Sequence, residues 1–160
     1  MTQKSSQAMP PLTADALLLD QQLCFSLYAT SLAMTQAYKP LLEPLGLTYP
    51  QYLVLLILWE NDGLGLKDVA ARLAQKPGAL TPVIRRMEEQ GLVVKARSPQ
   101  DERLLEIRLT EAGRALRSQA EGVYSCILSQ CQAPLQELSE LKQRLDQLRA
   151  NLSAAGVDEI

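Results

Sequence analysis

The feature that most constrains the fold of this chain is the succession of helical and extended patterns between residues 63 and 109. A short helix is predicted from Lys67 to Leu73, the segment QKPG follows, and a second helix is predicted from about Leu80 to Gln90, where Gly91 ends it. Two strand-like stretches, LVVKAR and RLLEIRL, come next on either side of the polar turn SPQDE. Two short helices followed by a hairpin predict a winged helix-turn-helix.

This predicted unit has a functional implication. The second short helix of a winged helix-turn-helix enters a DNA major groove, and the hairpin reaches a neighbouring groove. An ordinary helical hairpin is the alternative, but the basic β-hairpin directly after it favours the winged helix. Residues 64–117 hold 11 Lys and Arg against 7 Asp and Glu, although the whole chain has a net charge of −2. A basic centre between acidic flanks is typical of a nucleic-acid-binding module set in a separate scaffold.

Amphipathic helices flank this centre. The first is predicted from about Thr13 to Leu42, and a largely apolar one begins after Thr48. After the hairpin, one helix opens at Thr110 and the last starts at Pro134. Leucines of the last helix form a narrow, nearly heptad seam: Leu135, Leu138, Leu141, Leu145, Leu148 and Leu152. Such a seam needs a partner helix, which favours dimerisation over packing within one chain.

The predicted fold class is therefore mainly α with a small β-hairpin wing. A chain of 160 residues with 47% hydrophobic residues can bury one core but is short for two, so a single domain over residues 1–160 is expected. Within it, residues 13–62 and 110–153 form a helical dimerisation scaffold, and residues 63–109 form the winged helix-turn-helix lobe. The low aromatic content of 4% agrees with a helical protein better than with a sandwich or barrel.

Composition also excludes several kinds of site and location. No apolar stretch approaches the roughly 18 residues of a membrane span, and the polar start MTQKSSQAMPP lacks a signal core, so a cytoplasmic protein without a membrane partner is expected. Three cysteines argue against a disulfide framework. Because there is no histidine and Cys24 is far from Cys126 and Cys131, neither a metal nor another cofactor is expected.

The order of elements resembles the MarR family of dimeric bacterial regulators. The stretch LDQQLCFSLYATSLAMTQAYKPLLEPLGLTYPQYLVLLILWE is similar to the opening of the organic-hydroperoxide-sensing OhrR branch, in which an LCF cysteine precedes SLAMT, YKPLL and TYPQY segments. The stretches LTPVIRRMEEQGLV, RSPQDER and LTEAG resemble the recognition helix, the wing and the next helix of that family. The resemblance covers roughly residues 17–120.

The resemblance implies a redox-responsive repressor rather than an enzyme. It implies a homodimer on a palindromic operator in double-stranded DNA, released when an organic hydroperoxide converts Cys24 to a sulfenic acid. Tyr28 and Tyr38 are then the hydroxyls that bond the sensing sulfur across the dimer. A thiol of the other subunit captures the sulfenic acid as a disulfide. Both Cys126 and Cys131 remain open for that role.

Helix geometry supports part of this interpretation. Cys24, Tyr28 and Tyr38 share one helical face, because steps of four and fourteen residues return to similar angles. At a rise of about 1.5 Å per residue, Cys24 and Tyr38 lie roughly 21 Å apart in one chain, so only a second subunit can join them. Two helices crossing antiparallel near Ser31 would do so in a two-fold dimer. This geometry favours a hydrogen bond from Tyr38 to the Cys24 sulfur of the other subunit, and it leaves the role of Tyr28 open.

The sulfur of Cys24 must ionise before it attacks a peroxide, yet no Lys or Arg lies between Lys4 and Lys39. If Asp20 caps the helix, Cys24 lies near the positive end of the helix dipole. If Thr13 caps it, the tyrosine hydroxyls carry more of the stabilisation. The alternative is that the three cysteines are small buried hydrophobes, which the LCF context makes improbable for Cys24 alone.

The expected DNA contacts begin on the second helix of the winged unit. Arginine pairs bidentately with guanine, so Arg85 and Arg86 are predicted to contact bases, and Thr81 to contact a phosphate or a thymine methyl group. Solvated surface charge is the alternative for these arginines.

The wing supplies the remaining predicted contacts. Arg97 and Arg103 bracket it, and by resemblance Asp101 pairs with Arg103 to orient an arginine toward the minor groove or the phosphates. One segment departs from the family pattern, because this chain has Pro77–Ala79 where relatives tend to have Ser-Gly-Thr. Two hydroxyls are thereby missing, so phosphate contacts there are either lost or replaced by backbone N–H groups. A different operator, weaker binding and a divergent regulator all remain open.

Three other functions compete with this one. A repressor released by a small ligand, with the cysteines incidental, is the main alternative, and insensitivity to Cys24→Ser would favour it. A thiol peroxidase acting through Cys24 would lack the nearby arginine and the histidine that assist turnover. A purely structural dimerisation module agrees least with the basic centre.

Overall fold

The structure is a computed structural model, and it describes residues 17–99, 101 and 103–155. In that part of the chain there are six α-helices and one small antiparallel sheet, which confirms the predicted mainly helical fold with a β wing. In chain order, the elements are α1 (Leu23–Leu42), α2 (Tyr49–Glu60), β1 (Leu64–Gly65), α3 (Leu66–Arg72), α4 (Pro77–Glu89), β2 (Val93–Arg97), β3 (Leu105–Leu109), α5 (Glu111–Gln130) and α6 (Leu135–Ala154).

The chain divides into two compact units, Met1–Gln36 and Ala37–Ile160, with the boundary inside α1. In the first unit, a 3-10 turn at Leu19–Gln21 precedes α1. The helix predicted from Thr13 therefore begins only at Leu23, and Thr13 itself lies outside the described residues. Extended backbone at Gln22, with φ −87° and ψ 119°, separates the turn from the helix.

In the second unit, α2 begins where the sequence predicts. Thr48 precedes it with extended backbone, and the Gln51 side-chain carbonyl accepts the Thr48 N–H at 2.8 Å, which satisfies a donor at the helix start. The expectation of a helix buried on most sides is confirmed, because α2 supplies six buried residues: Gln51, Tyr52, Val54, Leu55, Ile57 and Leu58.

The sheet has the strand order β1-β3-β2. Strands β2 and β3 form the predicted hairpin, with a register from Val93 opposite Leu109 to Arg97 opposite Leu105. Strand β1 is an addition that the sequence does not indicate, because two residues are too few to show a period. It pairs Leu64 with Ile107.

One hydrophobic core joins the elements of the second unit. Its fully buried side chains come from the end of α1 (Leu42), from α2, α3 and α4 and from the sheet, and α5 closes it with Ala120 and Val123. Thr110 caps α5 as predicted, since its hydroxyl accepts the Gly113 N–H at 3.1 Å.

The last helix is different, because α6 contains no buried residue. Four leucines of its predicted seam are among the exposed apolar side chains: Leu135, Leu141, Leu145 and Leu152. Over the described residues, no single helix is long and apolar enough to cross a membrane. In this part of the chain, one pair of segments, Leu23–Leu45 and Tyr49–Glu60, has the length and apolar composition of a membrane span when taken together, but a bend of 74° separates the two.

Candidate DNA interface and redox site

The helix that presents the predicted base contacts is α4. It buries Leu80, Ile84 and Met87, so residues on the opposite face point away from the core. Its C-terminal end is fixed by two backbone bonds, from the Gly91 N–H to the Glu88 carbonyl at 2.9 Å and from the Leu92 N–H to the Met87 carbonyl at 2.9 Å. Gly91 has φ +70°, the left-handed conformation that this Schellman motif requires.

The three predicted contact residues of α4 are all exposed, but their surroundings differ. The Arg85 guanidinium donates to the Glu89 carboxylate at 3.0 Å, an exposed pair one turn apart. The Thr81 hydroxyl donates back to the Pro77 carbonyl at 3.3 Å. Arg86 lines a shallow cavity beside Thr48, near the start of α2. An arginine in such a position can extend to a phosphate or a base edge.

The start of α4 differs from the sequence prediction. The helix was expected from about Leu80 but begins at Pro77, so Pro77–Ala79 form its first turn rather than part of the preceding loop. Proline suits this position because its missing N–H would have no helical partner there. Thr81 therefore carries the first hydroxyl of the helix, one turn later than in the Ser-Gly-Thr pattern.

The wing is closed by Asp101. Its carboxylate accepts the Arg103 backbone N–H at 3.0 Å, and its carbonyl accepts the Leu104 N–H at 2.9 Å. Asp101 therefore bonds the backbone of Arg103, and this hydrogen bond stabilises the turn of the wing. Arg97 ends β2, and it is exposed like Arg103.

Side chains also brace the base of the wing. The hydroxyl of buried Ser98 and the Arg108 guanidinium bond the Glu106 carboxylate and hold the pKa of Glu106 below its usual range. The Arg108 guanidinium donates at 2.7 Å and 3.1 Å. Asp62 accepts the Leu109 N–H at 2.8 Å and the Arg114 guanidinium at 2.6 Å. These bonds connect the end of β3 to the start of α5.

The sensing cysteine predicted from sequence lies in the first unit. Cys24 is exposed in the first turn of α1, which is the end where helix N–H groups favour negative charge. The start at Leu23 means that neither Asp20 nor Thr13 caps this helix. Tyr28 follows one turn later and is 63% exposed.

Tyr38 lies in the second unit within an aromatic cluster that the sequence did not indicate. Its ring centroid is 4.8 Å from that of Tyr49 and 5.6 Å from that of Tyr52. Burial, reinforced by the neighbouring acidic groups of Tyr52, Tyr49, Cys131 and Tyr124, raises the pKa of Tyr38 to about 12. The hydroxyl therefore keeps its proton at neutral pH and remains a hydrogen-bond donor.

This cluster lines an open cavity of about 750 Å³. Its walls come from the end of α1, from α2 and from α5, and they include Tyr38, Tyr52, Trp59, Arg117 and Tyr124. Tyr52 and Trp59 lie on the same helix, whereas Tyr38 and Tyr124 come from α1 and α5, so only the folded chain brings all four together.

The two other cysteines lie near the end of α5 and are free thiols in this chain. Cys126 is exposed, whereas Cys131 is half-buried and lies within electrostatic range of the Tyr38 hydroxyl. Within the described residues, no group of three or more Cys, Asp or Glu side chains could hold a metal ion.

Known proteins resemble this chain in sequence and in structure. The family model described as transcriptional regulator SarA/Rot matches residues 36–119. The organic hydroperoxide resistance transcriptional regulator of Bacillus subtilis (strain 168) is 46% identical over 131 residues, which cover 82% of this chain and 89% of that protein.

Solved structures extend the comparison. Reduced AbfR bound to DNA is 36% identical with a TM-score of 0.71 and covers 86% of this chain and 94% of its own. The disulfide form of AbfR, a protein of Staphylococcus epidermidis, has the same identity, a TM-score of 0.57 and coverage of 86% and 91%. CouR from Rhodococcus jostii RHA1, bound to p-coumaroyl-CoA, is 27% identical with a TM-score of 0.73 and coverage of 82% and 94%.

Proposed function

Because the chain belongs to the MarR/SarA family of winged-helix transcriptional regulators, on the branch of the organic hydroperoxide resistance regulators, we propose that it is a dimeric repressor whose DNA binding is switched by oxidation of Cys24. It acts in the cytoplasm on a palindromic operator, with residues 63–109 as the DNA-binding lobe and residues 13–62 and 110–153 as the dimerisation scaffold. Its relatives are transcriptional regulators, and we expect no sustained peroxide turnover.

The DNA-binding part of the proposal rests on the exposed face of α4. Thr81, Arg85 and Arg86 are exposed on α4 outside its buried stripe, and the wing presents Arg97 and Arg103. A helix with two arginines in a major groove can contact base edges, while the wing arginines contact phosphates or the minor groove. The DNA-bound structure of AbfR supports this use of the fold.

The dimer is supported by uncovered apolar surface. Four leucines of the α6 seam are exposed within one chain, and so, in the first unit, are Leu23, Leu27 and Leu32 along α1. Exposed apolar surface along a helix marks an interaction site. A second copy buries the same surface on both subunits around a two-fold axis, which also fits a palindromic DNA site.

The redox chemistry proceeds in two balanced steps. The Cys24 thiolate attacks one oxygen of the hydroperoxide, the O–O bond breaks, an alcohol leaves with a proton, and a sulfenic acid remains. The thiol of a second cysteine then attacks the Cys24 sulfur, a disulfide forms and water leaves. Exposure of Cys24 at a helix N-terminus is the observation that carries this proposal.

Tyr38 and Cys131 have defined roles in this scheme. The Tyr38 hydroxyl keeps its proton and donates to the sulfur of the partner subunit's Cys24. Because Cys131 is within electrostatic range of Tyr38, we assign it rather than Cys126 as the resolving thiol. Tyr28, which is exposed four residues after Cys24, is a second donor toward the sensing sulfur.

The test uses a duplex selected by the reduced wild-type protein from a random-sequence library. Fluorescence anisotropy then follows its release as cumene hydroperoxide is added to the wild type, Cys24→Ser and, as a matched control, Cys126→Ser. We expect release from the wild type and the control, with an affinity loss of at least about tenfold, and none from Cys24→Ser. Release from all three, or from none, would remove Cys24 from the mechanism.

A second function is favoured by the aromatic cavity. Its volume of about 750 Å³ is within the range of small-molecule sites, and its wall carries Arg117 together with Glu60 and Glu121. The structure of CouR bound to p-coumaroyl-CoA supports a repressor that is released by a ligand. Release that is independent of peroxide and abolished by Arg117→Ala, but not by Cys24→Ser, would favour this function.

A further inference from the structure

A chain of three side-chain hydrogen bonds connects the recognition helix to the segment before α2. The Gln51 side-chain carbonyl accepts the Thr48 N–H at 2.8 Å, and its NH₂ group donates to the Gln90 side-chain carbonyl at 2.7 Å. The Gln90 NH₂ group then donates to the Gly46 backbone carbonyl at 3.1 Å. Gln51 is only 3% exposed and is one of two buried polar residues in the described part of the chain, with Ser98.

The direction of this chain is fixed by its two ends. A backbone N–H at Thr48 can only donate, and a backbone carbonyl at Gly46 can only accept. Both amides must therefore be oriented as observed, each using one donor and one acceptor. A carboxylate at position 51 would still accept the Thr48 N–H but could not donate to Gln90. The connection thus depends on an amide at position 51.

The Gln90 side chain is not needed to end α4. The two Schellman bonds at Gly91 and Leu92 already satisfy carbonyls of the last turn. Gln90 instead connects that turn to the segment 46–51, and its own backbone N–H bonds the Arg86 carbonyl at 3.0 Å. Packing of Leu80, Ile84 and Met87 determines which face of α4 is buried, and the directional hydrogen bonds of Gln90 add a finer constraint on the orientation of its last turn.

We infer that Gln51 and Gln90 are positioning residues for DNA recognition, which fix the rotation of α4 so that Arg85 and Arg86 meet their base edges. This inference rests on the proposed DNA-binding function. It concerns residues whose side chains hydrogen-bond other parts of the same chain, and which the family resemblance did not single out.

The test separates helix orientation from folding and from general DNA affinity. Non-specific binding depends on phosphate contacts, whereas specific binding also needs correctly placed base contacts. We therefore measure, at one salt concentration, the affinity of reduced protein for its library-selected duplex and for a scrambled duplex of equal length. The variants are Gln90→Ala and Gln51→Glu, with Gln119→Ala on the exposed side of α5 as the matched control.

The expected result is a loss of about tenfold in the ratio of specific to non-specific affinity for both variants, since one misplaced bidentate base contact has about this effect. Gln119→Ala should keep the wild-type ratio. Because Gln51 acts through Gln90, the double variant Gln51→Glu/Gln90→Ala should lose no more than Gln90→Ala alone.

One result would overturn the inference, which is a ratio of specific to non-specific affinity within twofold of wild type in Gln90→Ala. If that unchanged ratio came with an equal loss of affinity for both duplexes, it would indicate a merely structural role. Thermal unfolding of each variant accompanies the measurement. Failure of the wild type to prefer its selected duplex would instead contradict the proposed function itself.

Discussion

Gly113 is the residue at which packing leaves least freedom. A Cβ atom built there would collide with the backbone carbonyl of Leu92. The Gly113 carbonyl accepts the indole N–H of Trp59 at 2.9 Å, and its N–H bonds Thr110 at 3.1 Å, so its backbone cannot easily shift. The start of α5 can therefore approach the Leu92 backbone, directly before β2, only because this position has no side chain.

Gly113→Ala is expected to lower the free energy of unfolding by about 3 kcal/mol, because the clash is with backbone rather than with a flexible side chain. Gly122→Ala is the matched control on the same helix, where a Cβ meets nothing within 4 Å. There, the helix propensity of alanine should raise stability by about 0.5–1 kcal/mol. Urea unfolding at one fixed protein concentration measures both, and equal effects of the two changes would contradict the packing argument.

The hydroxyl of Tyr38 gives a prediction for alkaline pH. Folding raises the pKa of Tyr38 from 10.0 to about 12, and burial also raises the pKa values of Tyr49 and Tyr52. Between pH 10 and 12 the folded chain therefore holds protons that the unfolded chain has lost, so stability falls as the pH rises. Below pH 10 both states keep the Tyr38 proton and its contribution is constant.

Tyr38→Phe should make this alkaline decrease shallower while leaving its slope near pH 8 unchanged. Urea unfolding at several pH values between 8 and 11.5 measures the slopes. Phenolate absorbance provides a second measurement, in which the variant should lack one late-titrating group. The same slope above pH 10 in both proteins would show that Tyr38 is not held in its neutral form by the fold.

At the scale of elements, the sequence predicted helix boundaries correctly where the capping residues are strong signals. Thr48 before an apolar run and Gly91 after an amphipathic helical pattern placed the start of α2 and the end of α4 correctly. The predicted start of α1 was wrong. The leucines and glutamines before Leu23 favour a helix, and no residue among them stops one. Strand β1 was missed because two residues form a strand only through pairing with β3.

The candidate site shows the same limit. Individual residue types on α4 and the wing could be predicted, because arginines at helical spacing follow from the sequence alone. The contacts between Tyr38 and Tyr52, and between Gln51 and Gln90, join residues 14 and 39 positions apart. Contacts of this kind depend on how the helices pack against one another, which no local sequence pattern determines.

The leucine seam of α6 is the element whose role can be tested most directly. Leu141→Lys places a charge on the face of α6 that we propose to be buried in the dimer. Because the dimer is symmetric, the change occurs once in each subunit. Loss of two buried leucines should raise the dimer dissociation constant on the order of 100-fold. Gln143→Lys adds the same charge on the same helix outside the seam. Sedimentation equilibrium compares them, and equal dissociation constants would indicate that α6 does not form the interface.

For the molecule as a whole, α4 and the wing are connected to α2 by polar bonds as well as by the core. Gln51 connects α2 to the end of α4, Asp62 connects the end of α2 to β3 and α5, and Trp59 bonds the first turn of α5. Each bond contributes about 0.5–1.5 kcal/mol, too little to hold the fold alone but enough to keep neighbouring elements in one arrangement. A displacement of α2 would therefore alter both the recognition helix and the wing.

The assignment of Cys131 as the resolving thiol predicts which covalent dimer forms. After organic hydroperoxide treatment at low protein concentration, non-reducing electrophoresis of the wild type should show a band at twice the 17.7 kDa of one chain. Cys126→Ser should behave in the same way, whereas Cys24→Ser and Cys131→Ser should remain at the mass of one chain, because a disulfide between subunits needs both sulfurs. A thiol reductant should reverse the band. If Cys126→Ser abolishes it and Cys131→Ser does not, the half-buried thiol beside Tyr38 is not the resolving group.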